Sequence, residues 1–371
     1  MSAQPFDIER PPRTFLPADF SFDSWEDLKP WFDKLEAFDL LDLPTLKHWL
    51  KYLSEVEAVI EENAGWRYIR MSTDTNSEEK RDSYTKFVTE IQPELEPVMN
   101  RLNKKLIESP ALEALEGREY EIMVRSVRTS LELFREENIP LQAKLRNKAQ
   151  EYGSITGAWT IEWEGEEITL QQASLILKRQ DREKRQKAWT AINEARMQDA
   201  EKLDELYNEL VGLRHQVALN AGFSNYRDYK FKELGRFDYS VSDCFDFHES
   251  IRESILPLVK EQVKDRQDKL GYDTLRPWDM SVDPEGKDPL HPFKDGKELT
   301  DVSIEAFDKI DPYFGGCIAT MDKLGHLDLD SRKGKAPGGY NYPLYEIGVP
   351  FIFMNAVGSH RDLVTMFHEG G

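Results

Sequence analysis

The stretch Pro350 to Gly371, "PFIFMNAVGSHRDLVTMFHEGG", decides how the chain is read. Its first half holds an apolar run, Pro350 to Met354, that suits a buried strand. Its second half opens with Ser359 and Asp362 in the S-x-x-D pattern of a capping box, Asp replacing the usual Glu, and so predicts a helix running to the end. About two turns into that helix lie His368 and Glu369. Zinc chemistry uses two neutral imidazoles on one helix face, and spacing of i and i+4 provides this because a helix has about 3.6 residues per turn. A Glu directly after the first His stands beside that face. There it can take a proton from metal-bound water without ligating the metal. The second His would fall at position 372, one beyond Gly371. On these residues alone two readings stand: the first half of a metal site, or a partly exposed His-Glu pair at a frayed chain end.

A second pair, His248-Glu249, serves as an internal control. Four residues after His248 comes Arg252, a cation that cannot ligate zinc, so that pair reads as a solvated helix face. His48, His215 and His326 read as packing or surface residues, His291 as a loop residue, and His360 as an ordinary first-turn residue. There is no P-loop, dinucleotide fingerprint or G-x-S-x-G elbow. The Gly-rich "GKAPGGY" is not followed directly by a helix, which argues against a phosphate cradle.

Composition narrows the class. With 69 acidic against 49 basic residues the net charge is −20, so a nucleic-acid partner would meet repulsion. The two cysteines, Cys244 and Cys317, exclude a disulfide scaffold and fit a reducing compartment. The N-terminus carries no apolar signal core, and no stretch approaches the apolar length a bilayer requires. The expectation is a cytoplasmic protein with neither nucleic-acid nor membrane partners.

Along the chain the pattern is mainly α. Residues 1–23 form an irregular, Pro-rich arm. Helical stripes follow from Ser24 onward, one of them stopping near Gly65 and others over 78–108, 110–116, 118–137 and 140–151. The alternation in "AWTIEWEGEEITL" predicts a hairpin near 158–170, turning at Glu164-Gly165. Two long helices are expected between Gln171 and Ala221, further helices over 241–270 and 301–324, and an irregular region over 271–299 between them. Short strands are expected near 335–342 and 349–355. The organisation predicted is an arm (1–23), an N-terminal helical region (24–156) and the front part of a catalytic region (157–371).

The segment order supplies the rest. "RKGKAPGGYNYPLYEIGVPFIFMNAVGSHRDLVTMFHEGG" resembles the oligoendopeptidase F branch of the thimet-oligopeptidase-like zinc metallopeptidases. There a G-K-x-x-G-A/G-Y segment and a P-F-I/L-x-x-N strand precede the helix bearing H-E-x-G-H. "DREKRQKAWTAINEA", "ALNAGFSNYRDY" and "LRPWD" are similar to family text as well. The resemblance covers Trp159 to Gly371; over residues 1–150 it rests on helix-rich character and length. It implies a large helical metallopeptidase body with a small β element and a deep substrate channel, one Zn²⁺ per complete chain, and short peptides as substrates. His368 would be the first zinc ligand and Glu369 the general base. Gly338, Gly339 and Tyr340 would lie beside the bound peptide as a strand edge. Gly370 stands where many relatives have other small or aromatic residues. The second His and the third ligand have no positions here, so the resemblance implies the front part of an enzyme, itself binding zinc weakly or not at all. Two other readings stay open: a non-catalytic helical peptide-binding or scaffold protein with a decayed site, and an exopeptidase of the dipeptidyl carboxypeptidase type.

Overall fold

Leu28, Phe32 and Leu35 recur at helical spacing and form the buried side of the first helix, α1 (Trp25–Glu36), in a computed structural model that describes residues 4–371. The second helix, α2 (Leu43–Thr73), starts where the Asp42 carboxylate accepts the Thr45 amide. Its sequence suggested a stop near Gly65. The helix instead continues about two turns further. Gly65 is there for a tertiary reason, since a Cβ at this position would lie 2.6 Å from Tyr342 Cε1.

Residues 78–107 form one rod with a seam. It consists of α3 (Glu78–Lys86), a π-helical turn over Phe87–Ile91, and α4 (Gln92–Ile107). In a regular helix the Pro93 ring would press on the Thr89 carbonyl four residues back, and the wider turn makes room for it. The expected helix over 110–116 is only a short 3-10 turn, Leu112–Ala114. Then come α5 (Arg118–Leu133) and α6 (Ile139–Gly157). These N-terminal helices pack around Trp49, which is fully buried and donates its indole N–H to the Leu35 carbonyl.

The predicted hairpin is present as β1 (Thr160–Trp163) and β2 (Glu166–Thr169), antiparallel. Glu164 and Gly165 both take positive φ at its turn, the geometry that matches strand twist. The next segment holds three helices rather than two: α7 (Leu170–Ile176), α8 (Arg182–Met197) and α9 (Ala200–Asn220). Asp181 restarts the chain as α8 by accepting the Lys184 amide. Then follow α10 (Tyr226–Glu233) and α11 (Val241–Leu270). The helix expected over 301–324 is also divided, into α12 (Gly296–Asp308) and α13 (Pro312–Leu324). The division falls at Asp311-Pro312, where Asp311 accepts the Tyr313 amide and Pro opens the helix. Among the described residues, no helix is long and apolar enough to cross a membrane.

The chain closes with β3 (Leu327–Asp330), β4 (Tyr340–Tyr342), β5 (Phe351–Ala356) and α14 (His360–Gly370). The strands order as β3-β5-β4, with β3 parallel and β4 antiparallel to β5. Alternation on β5 divides two cores. Phe351 and Phe353 face Ile69 of α2, whereas Ile352 and Met354 face Leu299, Ile318 and Met366 of α12, α13 and α14. The sheet is thus held between the N-terminal helices and the C-terminal ones.

Two polar devices fasten this arrangement. The N-terminal arm crosses both halves. The Phe6 amide donates to Thr320 Oγ1 on α13, Arg10 pairs with both Glu62 of α2 and Glu346, and Arg13 joins Glu346. The second device is Asp279, buried in the irregular region and accepting from Arg182, Arg185 and the Arg276 amide. Burial alone would raise its carboxyl, but these donors outweigh that and hold it below the usual aspartate range. Its charged form is therefore favoured by folding.

Removing this carboxylate strands the Arg185 guanidinium, which is 1% exposed. Asp279→Ala is expected to destabilise the chain by about 3–5 kcal/mol in urea unfolding. In the parent protein, Asp279's contribution is present above the ordinary aspartate range near pH 4 and is lost as pH falls through the lower folded value. Acid unfolding of the variant should accordingly be shallower.

Candidate active site

The helix that carries His368 is positioned by its own start. Ser359 caps α14, and the Asp362 carboxylate accepts from the Val357 amide, the Ser359 amide and Ser359 Oγ. This is the capping box read in the sequence. Leu363, Met366 and Phe367 then fall on the buried face, where Phe367 meets Phe307 edge to face. Gly370 continues that face, and a Cβ there would lie 2.9 Å from Ile318 Cδ1. The small residue at this point follows from the closeness of α13.

The opposite face carries Arg361, Val364, Thr365 and His368. The His368 imidazole is exposed and makes no hydrogen bond with the described residues. Glu369 is half-buried, and its carboxylate is free of partners as well. Its backbone carbonyl accepts a hydrogen bond of 2.6 Å from the Asn341 side chain on β4. That bond ties the last turn of the helix to the sheet.

The segment Gly338–Tyr340 reaches the same place from the other side. Gly338 has φ +95°, a bend rather than an extended residue. Gly339 runs against β5 so closely that a Cβ would stand 3.2 Å from the Phe353 carbonyl and 3.8 Å from Thr365 Cγ2. Thr365 lies one turn before His368 on the same face. Tyr340 begins β4, the edge strand, and stacks on Phe353 with its hydroxyl 2.7 Å from Ser72 Oγ. Burial pushes the Tyr340 phenol well up, so it stays protonated.

Two residues that the sequence reading left without a role hold this segment. Lys335 is buried, and its ammonium donates to the carbonyls of Asp328, Asp330 and Met354 and to the Asp328 carboxylate. Burial pushes it down to about 8, against the upward pull of Asp328. The Asn355 amide donates to the carbonyls of Ala336 and Gly338, both at 2.9 Å. Both residues stood within the quoted G-K-x-x-G-G-Y and P-F-I-F-M-N text, which was the available signal. His326 proved to be buried, with Nδ1 at 3.2 Å from the Val349 and Pro350 carbonyls, a packing role.

Among the described residues, no three His, Cys, Asp or Glu side chains converge to hold a metal. His368 contributes one imidazole, where catalytic zinc takes three protein ligands and a water. The donors present fit one part of such a site.

Comparison with known proteins places this arrangement. The profile of peptidase family M3 matches residues 175–371, and that of the peptidase M3 N-terminal domain matches residues 18–134. The chain belongs to peptidase family M3. No curated protein sequence matches it. Among solved structures it is similar to a protein described as an oligoendopeptidase F, at 25% identity and a TM-score of 0.88 over 99% of this chain and 63% of that one. A second, described likewise and from Bacillus anthracis strain Ames, matches at 23% identity and 0.88 over 97% and 66%. PZ peptidase A with an inhibitor matches at 24% and 0.87 over 98% and 63%. The chain therefore spans less than two thirds of the length of each.

Lys335 can be tested directly. Lys335→Met would leave three buried carbonyls without their donor and is expected to destabilise the chain by about 3–5 kcal/mol. Hydrogen exchange over residues 334–342 should rise selectively, while exchange in α4 and α6 stays at the parent level.

Proposed function

We propose that this chain is the front part of a zinc-dependent endopeptidase that hydrolyses short oligopeptides in the cytoplasm. One juxtaposition carries the reading. The edge strand beginning at Tyr340 reaches α14 through Asn341, and Gly339 packs against Thr365, one helical turn from His368. Membership of a peptidase family supports it.

In this reading the free edge of β4 offers backbone groups to an extended peptide, and the absence of side chains at Gly338 and Gly339 lets the peptide come close. His368 supplies one imidazole from the exposed face of α14, and the remaining ligands come from sequence beyond Gly371. Bound zinc would polarise a water and lower its pKa to about 7. Glu369 would be the carboxylate that accepts a proton from the attacking water and returns it to the leaving amine. The hydrogen bond from Asn341 to the Glu369 backbone fixes where that carboxylate starts.

The test uses a chain extended through the sequence that follows Gly371. It is expected to carry one zinc by metal analysis and to cleave a quenched fluorescent oligopeptide in a chelator-sensitive way. His368→Ala should lose the metal. Glu369→Gln should keep it and lower turnover by about 10²–10⁴-fold. Normal turnover in Glu369→Gln would remove the general-base assignment. Chelator-sensitive cleavage by the 371-residue chain alone would place the site elsewhere.

A further inference from the structure

A cavity of about 830 Å³ opens among α2, α4, α5, α6 and α10, and Tyr342 of β4 forms part of its wall. Four carboxylates and three cations line it. Glu57 and Glu61, one turn apart on α2, and Glu96 of α4 line it together with the Arg146 guanidinium. Arg146 hydrogen-bonds to Glu96 at 3.3 Å. Glu57 and Glu61 make no hydrogen bond or salt bridge with any described residue. Aromatic rings, including those of Tyr68, Tyr84 and Phe237, complete the wall. Glu57 is half-buried and Glu61 is exposed. A carboxylate partly withdrawn from water without a cation carries a cost that an entering cation recovers. Such rings also accept a cation on their faces.

Strand geometry connects this cavity to the edge of β4. A peptide added to a sheet edge places its side chains on the same faces as their cross-strand neighbours. The residue opposite Tyr342 would therefore point as Tyr342 does, toward the cavity. We infer that the cavity is a specificity pocket for a basic side chain of the peptide, an arginine or lysine held by Glu57 and Glu61 and flanked by tyrosine rings. This rests on the peptide-binding reading of β4 given above.

Titration of the pair supports the geometry. Burial raises Glu57 to about 7, with the Glu61 charge adding to the effect. Partial desolvation against the cavity wall raises Glu61 as well, offset in part by Arg146. The other charged groups lining the cavity are Glu96, Arg135, Lys232 and Glu233. Of these, Glu96 is itself raised by burial. Glu57 thus gains its charge as pH rises through neutrality, and affinity for a cation should rise with it.

The experiment measures binding of two blocked pentapeptides to the 371-residue chain by calorimetry at pH 8. One has a central arginine among alanines; the other has citrulline, its neutral isostere. The arginine peptide is expected to bind at least about tenfold more tightly, the scale of a desolvated charge pair. The preference should shrink at pH 6 and disappear in Glu57→Gln/Glu61→Gln. Glu57→Gln alone should reduce it, with an unchanged melting curve. The net charge of −20 attracts any cation to the surface, and the variants separate that from the pocket. Equal affinity for the two peptides, or a preference that survives the double variant, overturns the pocket and leaves the peptide-binding reading standing. Failure of both peptides to bind overturns both.

Discussion

The buried ammonium of Lys335 is the point on which the C-terminal sheet of this molecule depends. It collects carbonyls from both ends of β3 and from β5, together with the Asp328 carboxylate. Parallel strands such as β3 and β5 have no hairpin to set them side by side, and here one cation bridges their backbones. The segment leading to Gly338–Tyr340 then has a fixed origin, and Asn355 fixes its far end. The same segment is bound to α2 from below, where Thr75 donates to the Gly334 carbonyl and the Ala336 amide to that of Ser72. The edge strand β4 and the His368 helix are therefore referred to one frame.

Much of this frame was legible locally. The capping box at Ser359, the alternation of the 160–169 hairpin and the apolar run of β5 are short-range signals, and each formed what its pattern implied. The errors arose where distant contacts decided. A glycine in a helical pattern reads as a stop, yet Gly65 lies in mid-helix because Tyr342 arrives there from nearly the whole length of the chain away. The Asp311-Pro312 break is a local signal too, an N-cap followed by a first-turn Pro, set between two helical stripes that read as one. β3 is four residues of alternating Leu and Asp, and its partner is a parallel strand more than twenty residues later. Nothing nearby in sequence marks such a pairing.

The site itself divides in the same way. The His368-Glu369 pair on one helix is a local signal that leaves two readings open, and the roles given to it rest on the resemblance to the family. The burial of Lys335 and the reach of Asn341 to the last turn of α14 are properties of the assembled sheet. Lysine is among the residues least often fully buried, so composition argues against its role until the carbonyls around it are known.

The N-terminal arm carries a consequence for how the chain is made. Arg10 and Arg13 are synthesised more than three hundred residues ahead of Glu346, and Phe6 more than three hundred ahead of Thr320. At a synthesis rate of about 5–20 residues per second, the arm waits on the order of tens of seconds for its partners. Through that interval Phe6 lacks Thr320 and Arg10 and Arg13 lack Glu346, whereas Glu62 of α2 is already available to Arg10 as the N-terminal helices close around Trp49. The contacts that join the arm to the C-terminal elements thus form long after the arm is synthesised, and nascent chains stalled before Thr320 would present Phe6 to any protease or chaperone within reach.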